Sequence, residues 1–156
     1  MDVTIMPSTT SLAAKLQTDF PDYVLVAGKE FYWSPQDKKV TYDQSSDDIA
    51  SLLHEMSHAI LGHAQYNKDI ELIEMERDAW EYAVNTLARA YRIQVQDDEV
   101  QEALDTYRDW LHARSTCPTC QATGLQIKKQ QYKCIACSTN WRVNEARVCA
   151  LRRYAL

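Results

Sequence analysis

Apolar residues fall at helical spacing in four stretches of this chain. Leu12 and Leu16 share a face in residues 8–20, where Ser or Thr can cap a short helix and Pro21-Asp22 ends it. Ile49, Leu52, Leu53, Met56 and Ile60 make a second helix largely apolar, and therefore buried. A Ser at its N-cap, within Gln44-Ser45-Ser46-Asp47-Asp48, and Asp in the first turn suit its free amides and its dipole. Residues 69–91 lack Gly and Pro and carry Ile73, Trp80, Val84 and Leu87 at roughly helical spacing; residues 98–113 do the same with Val100, Leu104, Tyr107 and Leu111. Between the first two helices the pattern shortens. Residues 23–26 read as a strand, and Phe31-Tyr32-Trp33 and Val40-Thr41-Tyr42 as a hairpin about Ser34-Pro35-Gln36-Asp37. After residue 114 the pattern becomes two cysteine turns on short strands, followed by an expected terminal helix in "NEARVCALRRYAL". The class is α+β: a mainly helical domain with a small N-terminal sheet, residues 1–114, followed by a small module, residues 115–156.

Charge sharpens that division. Up to Arg114 there are 10 Lys and Arg against 21 Asp and Glu, a net −11; from Ser115 onward there are 7 against 1, a net +6. Two modules with different electrostatic surroundings are expected. No stretch approaches the roughly 18 uninterrupted apolar residues of a membrane helix. The start of the chain, MDVTIMPSTT, lacks the basic and apolar regions of a signal peptide. A cytoplasmic protein without a membrane partner is expected, and an odd count of five cysteines argues against a disulfide framework.

The second helix carries "SLLHEMSHAILGH", residues 51–63. His54 and His58, four apart, point to one side of the helix and can grip one ion with neutral imidazole. Glu55 is offset by one residue, where it can take a proton from a metal-bound water without being a ligand. Shuffling the chain's 4 His and 9 Glu reproduces this H-E-x-x-H pattern in roughly one arrangement in two hundred, so it carries information. Two core histidines with ordinary hydrogen bonds are the bland alternative. A catalytic zinc usually takes a third protein ligand. His63 lies five residues after His58, which turns it well off the face of the pair, so it is a poor candidate. His112 reads as a surface or structural histidine. The next helix offers Glu74, Glu76 and Asp78 in "IEMERDAWEYA".

"HEMSHAILGH" followed by "ERDAWEYA" resembles the ImmA/IrrE group of zinc peptidases and, more broadly, the gluzincins, over roughly residues 23–90. In that group a pattern like E-x-[ED]-A-x-x-[FY]-A completes the site, and Glu76, Asp78, Ala79, Tyr82 and Ala83 match it. The resemblance implies His54, His58 and Glu76 as ligands of a catalytic zinc, Glu55 as general base, and a zincin-like fold. It also implies a specific protein substrate, such as a transcriptional regulator or antitoxin. Glu74 with Asp78 is the alternative register. The sequence departs from the family at Trp80, where relatives place Asn or Asp to orient a ligand histidine; Asp78 or a backbone carbonyl is then needed for that task. Tyr66, Tyr82 and His63 are open choices for an oxyanion donor.

Cys117-x-x-Cys120 and Cys134-x-x-Cys137 supply four thiolates for a closed, structural zinc site, and the module resembles a zinc ribbon. Cys149 lies outside the spacing and is expected to be a buried thiol. Lys128, Lys129, Lys133, Arg142, Arg147, Arg152 and Arg153 make the ribbon basic, with Tyr132 and Trp141 interleaved, a composition that can meet nucleic acid through cations and stacking. H-E-x-x-H followed by such a ribbon also resembles the SprT-like, Spartan-type proteases of DNA-bound proteins, which take a downstream His as third ligand. No His stands between His63 and His112 here. A non-enzymatic zinc adaptor with a vestigial peptidase site is a third reading.

Overall fold

The computed structural model describes residues 6–145, 147 and 150–156. Contacts divide the chain into two compact units, residues 1–64 with 75–97, and residues 65–74 with 98–156. The division falls within one helix, between Glu74 and Met75. The helix of residues 98–113, expected to belong with the N-terminal domain, groups instead with the cysteine-bearing segment.

The first unit opens with α1 (Thr9–Asp19), capped by Ser8, whose side chain accepts from the Ser11 amide. Leu12 and Leu16 are fully buried, as their spacing requires. Three strands follow: β1 (Val24–Gly28), β2 (Tyr32–Ser34) and β3 (Lys39–Asp43). β2 and β3 form the expected hairpin, with Trp33 opposite Val40. β1 lies parallel to β3 on its other side, giving the order β1-β3-β2 and leaving β2 at an edge. α2 (Ile49–Leu61) starts at Asp48 rather than at a serine: the Asp48 carboxylate accepts from the Ser51 amide and from the Ser51 hydroxyl. Leu52, Leu53 and Met56 are fully buried on it.

α3 (Asp69–Tyr82) continues through a π-helical stretch, Ala83–Ala88, to residue 90. Arg92, at φ 57°, then reverses the chain, with Ile93 N–H reaching back to the Ala88 carbonyl. The buried stripe of the first unit's part is Ala79, Trp80, Ala83 and Leu87, with Val84 only half-buried. Two of the four are alanines, small residues that a search for bulky apolar positions passes over.

The second unit contains α4 (Asp97–Ser115), apart from its first residue, and the strands β4 (Leu125–Lys128), β5 (Gln131–Lys133), β6 (Asn140–Val143) and β7 (Arg153–Ala155) in sequential antiparallel order. Its core holds Cys117, Tyr132, Cys134, Trp141 and Val143. Gly124 is required there, because a Cβ on it would come within 2.3 Å of the Trp141 ring. A buried ion pair ties α3's first residue to α4: Arg114 Nε donates to Asp69 Oδ2 at 2.9 Å, and the Tyr132 hydroxyl donates to the same oxygen at 2.6 Å. Arg114 also donates to the Asn144 carbonyl.

The expected terminal helix is not formed where the chain is described. The Asn144 side chain bridges a loop, donating to the Ala150 carbonyl and accepting from the Arg152 amide, and returns the chain as β7 beside β6. Paired backbone groups on an open sheet edge win over a short, cation-rich helix. Cys149, expected to be buried, lies outside the described residues. Among the described residues no helix is long and apolar enough to cross a membrane.

Candidate metal centres

His54 and His58 lie one turn apart on α2, both buried, and their Nε2 atoms are 3.0 Å apart. Glu76, from α3, meets both: Oε2 is 2.9 Å from His54 Nε2 and Oε1 is 3.2 Å from His58 Nε2. Glu76 is 5% exposed, whereas Glu74 is an exposed residue. The structure thus brings Glu76, and not Glu74, to the histidine pair. Glu55 stands half-buried beside them with Oε1 4.0 Å from His54 Nε2, and its Oε2 accepts the main-chain N–H of Trp33 at 3.0 Å.

Several features suit this group to a cation. Two ligands of a tetrahedral zinc at about 2.0–2.1 Å sit ~3.3 Å from each other, close to the separations seen. Glu76 Oε2 is buried and, despite its approach to His54, makes no well-formed hydrogen bond. A buried carboxylate oxygen left so costs about 1–3 kcal/mol or more. Burial drives the His54 imidazole below its ordinary value, against an opposite pull from Glu76. Burial would raise Glu76, but the close approach of the His54 and His58 imidazoles outweighs it and holds the carboxyl well below the usual range. Neutral imidazole and ionised carboxylate are the protonation states a metal needs.

The ring faces are also fixed. Trp80 stacks on His54 with centroids 4.3 Å apart and planes at 24°. The position where an orienting acceptor was sought is therefore a flat wall, and His54 Nδ1 has no hydrogen-bond partner among the described residues. Asp78 does not fill the gap; it pairs with its neighbour Arg77. The orienting contact falls on the other histidine: His58 Nδ1 lies 2.8 Å from His63 Nδ1.

His63 was set aside in the sequence because a continuing helix would turn it away. The helix does not continue. Gly62 takes φ +69°, its N–H reaches the Ala59 carbonyl at 3.1 Å, and His63 N–H reaches the His58 carbonyl at 3.0 Å. This pair of bonds is the Schellman ending, in which the residue after a left-handed glycine folds back onto the last turn. The signal was the Gly62 that precedes it. Of the other oxyanion candidates, Tyr66 belongs to the second unit, where Asp69 and Arg114 act on it. Tyr82 is half-buried. His112 is exposed, and its carbonyl accepts from the Ser115 and Thr116 hydroxyls.

The four cysteines form a second group that could hold a metal, with all ligand atoms within 4.8 Å of one another. Cys117 Sγ is 3.7 Å from Cys137 Sγ, and Cys120 Sγ is 3.5 Å from Cys134 Sγ. Thiolates at about 2.3 Å around a tetrahedral ion would lie ~3.8 Å apart. The two halves repeat one backbone design. The amide of Gln121 bonds to the Cys117 carbonyl and that of Ser138 to the Cys134 carbonyl. Cys117 N–H reaches Ala122 and Cys134 N–H reaches Thr139, each at 2.8 Å. Gln121 and Ser138 both sit at φ 64°. Burial opposes ionisation of Cys117, yet amides of Cys120 and Thr119 and the neighbouring thiols bring it down to about 6.

Tyr132 and Trp141, taken as stacking surfaces for bases, are 2% and 0% exposed. They lie opposite each other on neighbouring strands and stack with centroids 5.6 Å apart. Strand alternation sends both inward and leaves Lys133 and Arg142 outside. Both rings are core and present no face on which a base could stack.

Comparison of the chain with protein-family models, with curated proteins and with solved structures finds no match.

Proposed function

We propose that this protein is a zinc-dependent peptidase that cleaves a specific protein, with one zinc held by His54, His58 and Glu76 and a second, structural zinc held by Cys117, Cys120, Cys134 and Cys137. One observation carries the reading: two imidazole nitrogens and both oxygens of a buried carboxylate converge within 2.9–3.2 Å beside the carboxylate of Glu55. When bound there, zinc supplies an acidified water and a Lewis acid for a peptide carbonyl.

The chain supplies the rest. A catalytic zinc takes three protein ligands and a water, and His54, His58 and Glu76 would be those three ligands. Glu55, oriented by the Trp33 main-chain N–H on Oε2, takes the proton from water and delivers it to the departing amide nitrogen. The balance is one water consumed, one C–N bond broken, and a carboxylate and an amine released. The burial of His54, His58 and Glu76 limits bulk water, which strengthens each electrostatic contact. The four cysteines would fill all four positions of a tetrahedral zinc. Two repeated turns close around one point, which suits a role in folding a sheet whose own core is small. The resemblance to the ImmA/IrrE group supports the choice of a protein substrate of the regulator or antitoxin kind.

The test is Glu55→Gln, with cleavage of a proteome-derived peptide mixture read by mass spectrometry. Metal content should match wild type while cleavage falls at least about a hundredfold. Equal cleavage by the variant would refute the base assignment. A wild-type protein that holds both metals and cuts nothing would favour the adaptor reading.

A further inference from the structure

We infer that His63 is a positioning residue, which accepts the Nδ1 proton of His58 and so selects the tautomer that presents a bare Nε2 to the metal. The inference rests on the metal reading of His54, His58 and Glu76. Neutral imidazole carries one N–H. His58 Nε2 faces His54 Nε2 and Glu76 Oε1, at 3.0 and 3.2 Å, so a ligand at that atom must have no proton there. The proton then sits on Nδ1, which faces His63 Nδ1 at 2.8 Å. His63 must accept with a bare Nδ1 and carry its own hydrogen on Nε2. The reverse arrangement, with His63 donating, would force the His58 proton onto Nε2 and block the ligand atom.

The fold holds His63 to this task from three sides. Gly62 turns the chain back, and the His63 amide bonds to the carbonyl of His58 itself. The His63 carbonyl accepts the indole N–H of Trp33 at 2.8 Å. The His58 and His63 rings meet edge to face, 5.0 Å apart at 65°. Trp33 also holds Glu55 with its main chain, so the base and the ligand imidazole share one anchor. His54 has no such arrangement: among the described residues its Nδ1 has no hydrogen-bond partner, and its ring packs against Trp80 and His58. Loss of the His63 acceptor therefore acts on one ligand of the three.

The readout is zinc affinity, by chelator competition, for wild type, His63→Leu and His63→Asn. Asn Oδ1 stands where Nδ1 stood and can accept; Leu fills the space without an acceptor. Histidine-centre affinity should fall about 10- to 100-fold in His63→Leu and return to within a few-fold of wild type in His63→Asn. Affinity at the cysteine centre should be the same in all three, which controls for folding. Wild-type affinity in His63→Leu, or equal weakening by Leu and Asn, would overturn the inference. A wild-type protein with metal at the cysteines alone would overturn the metal reading beneath it, a separable result.

Discussion

Trp33 fixes Glu55 by its main-chain N–H, 3.0 Å from Glu55 Oε2, on the residue whose side chain is buried between the sheet and α2. β2 is an edge strand, so this amide would otherwise face outward without a strand partner. The carboxylate next to His54 is thus oriented by the sheet, while the histidines are oriented by the helix. One residue of β2 links the two.

That linkage makes Gly62 a sensitive position. At φ +69° any side chain is strained, although a Cβ there would meet nothing within 4 Å. Gly62→Ala should destabilise the protein by about 1 kcal/mol through backbone strain alone. It should also weaken zinc at the histidine centre several-fold, because His63 follows it. Urea unfolding and chelator competition measure the two effects; unchanged values in both would contradict the described helix ending.

Asp69 is the second sensitive position. Its carboxylate and the Arg114 guanidinium are 4% and 2% exposed, so removal of one leaves a buried charge. Asp69→Ala should cost about 3–5 kcal/mol, and Tyr132→Phe, which removes only a hydroxyl donor, about 1 kcal/mol. Equilibrium denaturation separates them. An Asp69→Ala cost no larger than that of Tyr132→Phe would show that the ion pair is not buried as described.

The pH dependence of the metal-free protein follows from His54. Burial lowers its folded pKa below the ordinary value near 6.5, so below that value the unfolded chain takes a proton that the folded chain refuses. Stability is therefore retained above about pH 6.5 and lost as pH falls through it toward the folded value. Urea midpoints in the presence of chelator should drop between pH 7.5 and 5.5, less steeply in His54→Gln than in wild type. Identical slopes in the two proteins would contradict a neutral, buried His54.

Much of this was legible in the chain because its signals are local. Imidazoles at i and i+4 share a face on any helix, and the strong apolar pattern around Leu52, Leu53 and Met56 left little alternative for residues 49–61. C-x-x-C turns carry their geometry with them, down to the repeated backbone bonds after Cys117 and Cys134. What was not legible depends on pairing between distant residues. The parallel partnership of β1 with β3 needs a register that no local pattern contains. The inward aim of Tyr132 and Trp141 follows from alternation once β5 and β6 are paired, and composition alone suggested the opposite. β7 exists because β6 offers it an edge. His63 is an intermediate case: its return to His58 depends on a single glycine, which marks a helix end but not what the next side chain will meet.

The central claim is that Glu76 joins His54 and His58 around one ion. Zinc per chain, measured by elemental analysis after exhaustive exchange into zinc-free buffer, tests it most directly in wild type, Glu76→Ala and Glu74→Ala. Two zinc ions in wild type and Glu74→Ala, and about one in Glu76→Ala, are the expected contents of a protein with both groups occupied. Two ions in Glu76→Ala, or one in every protein, would contradict it.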